Sequence, residues 1–471
     1  MRARLLTAAA IALAALGTGA AHAQPAPAAA TAQGLQIDTD YFTLPNGLRG
    51  VLARDATVPT ATVAVYYGIG FRVEPRDRTG FAHLFEHLMF MGSENVPRGA
   101  FDRNLYNAGG VNNGSTRFDF TNYFEVAPSN ALDLMLWMEA DRMARPVIDL
   151  AVLTSQQGVV GNEVRVNVLN QPYGGWPWID LPMLANENWH NSHNFYGELG
   201  DLEAATVEDA RDFFGRFYRP NNAVLVVAGD IDPEATRATI ERYFGPIPRG
   251  EPVELPDISE PRQMQEKFRV RRDPLAPRPA YSMAYHVPPR GTPEWYAMGL
   301  IDQMLVQGQD SRLHRRLVQQ TGITGEVDGG INIGLGNMFN YRGPMLWTVA
   351  FVHDPGRTRE EIETAIGAEI EALRAQPVSA AELDRARTKM RSFLYGQVDS
   401  GTRFGLVDLL ASYALFDDDP AAVNRIEAGF AAVTPELVQR TAQEYLRPAN
   451  RSVLLVEPAP AQPQPGTGGQ P

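Results

Sequence analysis

Phe217-Tyr218-Arg219-Pro220-Asn221-Asn222, followed by Val224-Leu225-Val226-Val227, has a second copy in Tyr445-Leu446-Arg447-Pro448-Ala449-Asn450, followed by Val453-Leu454-Leu455-Val456. Each copy reads as the end of a helix, a proline turn and a buried strand. Pro220 and Pro448 lie 228 positions apart, about half the chain, so a tandem duplication is the economical explanation. The expected organisation is two related α+β halves, 37–245 and 266–457. They are joined by a linker, 246–265, in which Pro246, Pro248, Gly250, Pro252, Pro256 and Pro261 interrupt any regular element. Strands and helices alternate irregularly within each half, which favours a mixed sheet with helices packed on it. Strands are expected at 47–52, 60–69, 121–126, 278–287 and 345–353, and helices at 294–307 and 380–395. A polar extended segment is expected at 109–116.

Residues 1–23 resemble a secretory leader. Arg2 and Arg4 precede an apolar stretch, and Ala21-His22-Ala23 forms a small-x-small cleavage pattern. A periplasmic or secreted location is therefore expected. Residues 24–36 and 458–471, rich in Pro with Ala, Gln or Gly, are expected to be disordered. No other stretch has about 18 consecutive apolar residues, so no membrane span is expected. The chain has no cysteine, which excludes disulfides, thiol nucleophiles and thiolate metal ligands. A net charge of −13 argues against nucleic acid as a partner.

The chemistry is concentrated in His83-Leu84-Phe85-Glu86-His87, set in the apolar run from Phe81 to Met91. At about 100° per residue, His83, Glu86 and His87 share one face of a helix. Three polar groups in a buried helix need partners. A cation supplies them together: two neutral imidazoles ligate, and a carboxylate is left to hold water. The spacing H-x-x-E-H is the inverted zincin arrangement. A catalytic zinc takes three protein ligands, so one more is needed. The other histidines lie in the leader, in a polar loop (His190, His193) or in the second half. Glu163 stands out because Val159, Val160, Val164 and Val166 surround it, although a solvated glutamate at a helix edge fits the same pattern.

Three stretches together resemble the pitrilysin family of zinc metallopeptidases, the inverzincins. They are Gly80 to Phe90, Gly110-Val111-Asn112-Asn113-Gly114-Ser115-Thr116 with Thr121-Asn122-Tyr123, and Val159-Val160-Gly161-Asn162-Glu163. The 76 positions from His87 to Glu163 also suit that family. The resemblance implies two halves closed as a clamshell around unfolded peptide segments, and one Zn2+ per chain held by His83, His87 and Glu163. Glu86 would be the general base of an endopeptidase. An edge strand containing Asn112, Asn113 and Gly114 would receive the substrate backbone. Trp176, Trp178 and Trp189 are read either as chamber lining or as packing.

Two departures stand against the resemblance. Family members that work as one chain carry an Arg and a Tyr seven positions apart in the second half, where this sequence has Val318 and Gly325. Arg312, Arg315 and Arg316 are nearby, either as substitutes or as a solvated helix face. Gln156 occupies a place where many relatives have a second glutamate that supports the catalytic site. A related partner chain, or a second copy in a homodimer, is expected to supply the missing pair. The alternative is a non-catalytic or partner-dependent subunit of a peptide-binding assembly.

Overall fold

The computed structural model describes residues 34–459. The leader, residues 24–33 and the tail from 460 lie outside the described residues. Six strands form the first sheet: β1 Asp40–Thr43, β2 Arg49–Arg54, β3 Thr60–Tyr67, β4 Val111–Thr116, β5 Thr121–Pro128 and β6 Ala223–Gly229, in the order β1-β2-β6-β3-β5-β4. Five form the second: β7 Lys267–Asp273, β8 Ala280–His286, β9 Asp328–Ile331, β10 Leu346–Val352 and β11 Arg451–Pro458, in the order β7-β11-β8-β10-β9.

The duplication read from the proline turns reappears as topology. β6 pairs parallel with β2 and antiparallel with β3, and β11 pairs parallel with β7 and antiparallel with β8. The last strand of each half is thus inserted between two early ones, β2 and β3 in the first sheet and β7 and β8 in the second, and β4 or β9 forms the far edge. Helix α1, Phe81–Leu88, follows β3, and its counterpart Pro293–Leu305 follows β8 with no histidine.

Alternation along β3 sorts its side chains between two cores. Val63, Val65 and Tyr67 pack in one cluster with Leu84, Phe85 and Leu88 of α1. Ala64 and Tyr66 pack in another with Leu406, Leu409 and Leu410 of the helix Phe404–Asp417. That helix is apolar almost all round because it is buried almost all round. It belongs to the second half in sequence and lies on the first sheet in space.

Polar side chains fix the same seam. Arg403 donates to Asp55 Oδ2 (2.7 Å) and Thr60 Oγ1 (2.8 Å), and Tyr66 donates to Asp408 Oδ1 (3.0 Å). Arg72 donates to both oxygens of Asp119 (3.0 Å each) and to the Pro344 carbonyl (2.6 Å).

Two segments expected to be loose are held at points. The connector before the first half ends in Leu35, which is buried and donates its N–H to Glu427 (3.0 Å). The proline-rich stretch between the sheets has no helix or strand, yet Asn191 Nδ2 donates to the Ile258 carbonyl (2.8 Å) and Gln263 Nε2 to that of Arg451 (2.9 Å). Asn191 thereby satisfies a carbonyl of extended backbone that has no ladder partner. Among the described residues no helix is long and apolar enough to cross a membrane.

Asp302, inside Pro293–Leu305, accepts from Trp347 Nε1 (2.8 Å), and burial pushes its carboxyl up to about 7. The folded state therefore binds a proton that the unfolded chain releases near pH 4. This group makes stability fall as pH rises from about 4 to about 7, with no further change above. Asp302→Asn keeps the acceptor and removes the titration. Its unfolding free energy from urea titration should match the wild type near pH 4 and exceed it at pH 8, by up to about 4 kcal/mol. Parallel pH profiles for the two proteins would refute this.

Candidate active site

Helix α1 starts at Gly80, whose φ of +79° is left-handed, and a Cβ there would lie 2.3 Å from the Tyr196 carbonyl oxygen. Both facts require glycine. The first amides of α1 are held by a buried carboxylate: Glu74 accepts from Gly80 N (2.9 Å) and Ala82 N (2.6 Å). This satisfies donors that a helix start leaves unpaired and places negative charge at the positive end of its dipole. His193 Nε2 stands 3.6 Å from the same carboxylate and stacks its ring on Trp189, 4.2 Å between centroids.

On the helix face predicted for them, His83 is buried and His87 and Glu86 are half-buried. Helix α2, Leu150–Val164, crosses α1 and carries Glu163 to it despite Gly158 and Gly161. Glu163 Oε1 lies 3.6 Å from His83 Nε2, and Oε2 lies 3.2 Å from His87 Nε2. One donor atom from each residue falls within 4.8 Å of the other two. Burial, with His87 adding to it, lowers His83 to about 4, so its imidazole is neutral at pH 7 and its approach to Glu163 is not an ion pair. The hydrogen bond with His87 holds Glu163 below the ordinary carboxylate range, against its partial burial. Two imidazole nitrogens and an ionised carboxylate oxygen converging with no cationic residue among them are a donor set suited to zinc.

Glu86 turns to β4. Its Oε2 accepts from Thr116 Oγ1 (2.7 Å), and burial raises its carboxyl, opposed by Thr116, His87 and Arg117. Gly114 lies against it, since a Cβ there would be 3.3 Å from Glu86 Cγ. Asn112 and Asn113, on the edge strand, engage neighbours. Asn112 Nδ2 donates to Asp102 Oδ1 (2.8 Å), and Asn113 Oδ1 accepts from Gly114 N (2.9 Å) while the residue stays exposed. Gln156 is buried two turns earlier on α2, where its Nε2 donates to Met91 Sδ (3.0 Å).

Four contributors escaped sequence reasoning. Tyr196 donates from its hydroxyl to Glu163 Oε1 (3.1 Å) and, with Phe195, lays its ring against His83 at 5.0 and 5.3 Å. Thr116 and Glu74 are the other two polar ones. None lies in a periodic pattern with the histidines; Thr116 fell within a stretch quoted for the resemblance but without a role, and the aromatic residues from Trp189 to Tyr196 are clustered. The tryptophans pack: Trp178 against Phe195 and Tyr196, Trp176 by Nε1 to Ser282 Oγ (2.7 Å), Trp189 on His193.

Residues 49–173, which contain His83, Glu86, His87 and Glu163, match the model of the insulinase family, peptidase family M16. Residues 204–390 match the model described as the peptidase M16 inactive domain. The chain belongs to the insulinase (pitrilysin) family of peptidases. It is 23% identical over 426 residues to zinc protease PqqE of Helicobacter pylori, covering 88% of this chain and 92% of that one. It is 22% identical over 370 residues to the beta subunit of the mitochondrial-processing peptidase of Saccharomyces cerevisiae, 76% and 78% of the two chains. The crystal structure of a protease from H. pylori superposes with a TM-score of 0.80 at 22% identity, over 90% of this chain and 100% of that one. A peptidase M16 inactive domain from Pseudomonas fluorescens gives 0.76 at 14% identity, over 90% and 99%. These likenesses show the two-domain clamshell fold that the resemblance implied. The second half of this insulinase-family chain falls largely under the inactive-domain model, in agreement with its histidine-free helix Pro293–Leu305.

Gly80→Ala should destabilise the protein by more than about 2 kcal/mol, from left-handed backbone strain plus displacement of Tyr196. Denaturant titration measures it, and a loss under about 0.5 kcal/mol would contradict the packing of α1 described here.

Proposed function

We propose that this chain is a zinc-dependent endopeptidase acting on peptides or unfolded segments, with Glu86 as general base. The observation that carries the reading is the convergence of His83, His87 and Glu163 beside a raised, half-buried Glu86. His83 and His87 would hold the ion through Nε2 and Glu163 through a carboxylate oxygen. Zinc there supplies Lewis-acid polarisation of water and of the scissile carbonyl. Tyr196 fixes Glu163, and Phe195 walls off His83 from solvent, so the ligands are positioned before any ion arrives.

Among the described residues Thr116 engages only Oε2 of Glu86, which leaves Oε1 to take a proton from water and deliver it to the departing amine. Burial suits the group to both steps by raising its affinity for the proton. The edge strand β4, with Asn112, Asn113 and Gly114, offers unpaired backbone on one side, to which an extended peptide can add. Glu86→Gln should keep zinc at one per chain by elemental analysis and lower turnover of a quenched-fluorescent peptide library by at least about 10³-fold. Wild-type rates from the zinc-loaded variant would end this reading.

A specific observation also favours partner dependence. Arg312 is committed to Glu382 by two bonds of 2.7 and 2.8 Å, Arg316 donates to Gln320, and Val318 and Gly325 offer no polar group. Arg315 stays exposed, but the expected Arg and Tyr pair is absent at Val318 and Gly325, and a related subunit or second copy would contribute it. Activity should rise at least about tenfold on adding a co-purifying relative or on self-association. Full activity from a strictly monomeric preparation would exclude it.

A further inference from the structure

A polar cavity of about 500 Å³ lies where the end of β4 meets the second half. Ser115 and Arg117 enter it from the first half, and Asn337, Asn340, Ser400 and Asp408 from the second. Arg117 is the only cationic residue lining it and Asp408 the only acidic one. The two are not equally free. Asp408 accepts at Oδ1 from Tyr66 (3.0 Å) and at Oδ2 from Asn340 Nδ2 (3.1 Å). The Arg117 guanidinium makes no hydrogen bond or ion pair among the described residues, although the residue is half-buried. Ser400 Oγ is buried in the same wall without a partner. A guanidinium without a hydrogen-bonded partner thus stands beside an unpaired buried hydroxyl, and both are open to a ligand.

The cavity is tied to the reaction centre by the pleat of the strand. Thr116 points to α1 and holds Glu86, so its neighbours Ser115 and Arg117 point to the opposite side, where the cavity lies. Only one residue of backbone separates the carboxylate that would act as base from the free cation.

We propose that this cavity is a carboxylate-accepting subsite of the peptide site, and that Arg117 makes the enzyme select a substrate with an acidic group close to the cleaved bond. The inference rests on the peptidase reading above and adds a substrate class to it. The carboxylate can come from an Asp or Glu side chain or from the free C-terminus of a short peptide; the guanidinium recognises both alike, as a bidentate partner.

The test uses the zinc-loaded protein and quenched-fluorescent peptides in matched pairs. In one set Glu replaces Gln at single positions on either side of the cleaved bond; in the other a free C-terminus replaces an amide. The wild type should prefer one carboxylate pair by about tenfold in kcat/KM, mostly through KM, and the pair that shows this identifies the source. Arg117→Gln should reduce the preference to under about twofold, and Arg117→Lys should keep part of it. Arg117→Glu should reverse it in favour of Lys-containing peptides, which misfolding cannot produce. A wild type with no charge preference at any position, or a preference that survives Arg117→Gln, overturns the proposal. Should no peptide be cleaved, the peptidase reading fails separately, and fluorescence anisotropy with the same pairs still reads the subsite. Carboxylate-selective binding lost in Arg117→Gln supports it, and charge-blind binding overturns it.

Discussion

The first sheet is buried on both faces, and the remaining architecture answers to that constraint. A strand such as β3, with Val63, Val65 and Tyr67 toward one side and Ala64 and Tyr66 toward the other, has no face it can show to water. The first half covers one face with α1 and the helices packed around it. The other is covered from the second half by Phe404–Asp417. Burial on this scale makes the two halves mutually dependent for stability, beyond what the short connection between them imposes.

The same constraint explains where chemistry can sit. Backbone groups of the central strands are all paired, so an extended ligand can add only at an edge, and β4 is the edge beside α1. Glu86 faces that strand through Thr116, and the two histidines face α2 and Glu163. One short helix thus turns two histidines toward Glu163 and one glutamate toward β4, the division that the proposed zinc ligands and proposed base require. Its anchoring is correspondingly firm: Glu74 at its first amides, Gly80 under the Tyr196 carbonyl, and aromatic rings around His83.

Much of this was legible from residues alone, for definable reasons. The duplication was visible because proline turns and buried β-branched runs leave strong local marks, and the parallel β2–β6 and β7–β11 pairs carry the same order in space. Expected strands at 60–69 and 345–353 correspond to β3 and β10 within two residues, and the helix expected at 380–395 runs to Val398. Phe404–Asp417 went unread because a helix apolar on every side has no preferred face, so periodicity cannot say what it will cover. β9 is too short and too rich in glycine to show a pattern.

At the site, period and spacing alone fix that His83, Glu86 and His87 share a helical face, since i, i+3 and i+4 neighbours are set by backbone geometry. That much follows from sequence. Whether Glu163 meets them, that Tyr196 hydrogen-bonds it, and that Arg117 lines one cavity with Asp408, follow from packing between segments 30 to 300 positions apart. Contacts of that range depend on how two sheets and their helices dock. No local pattern records a partner supplied from so far along the chain.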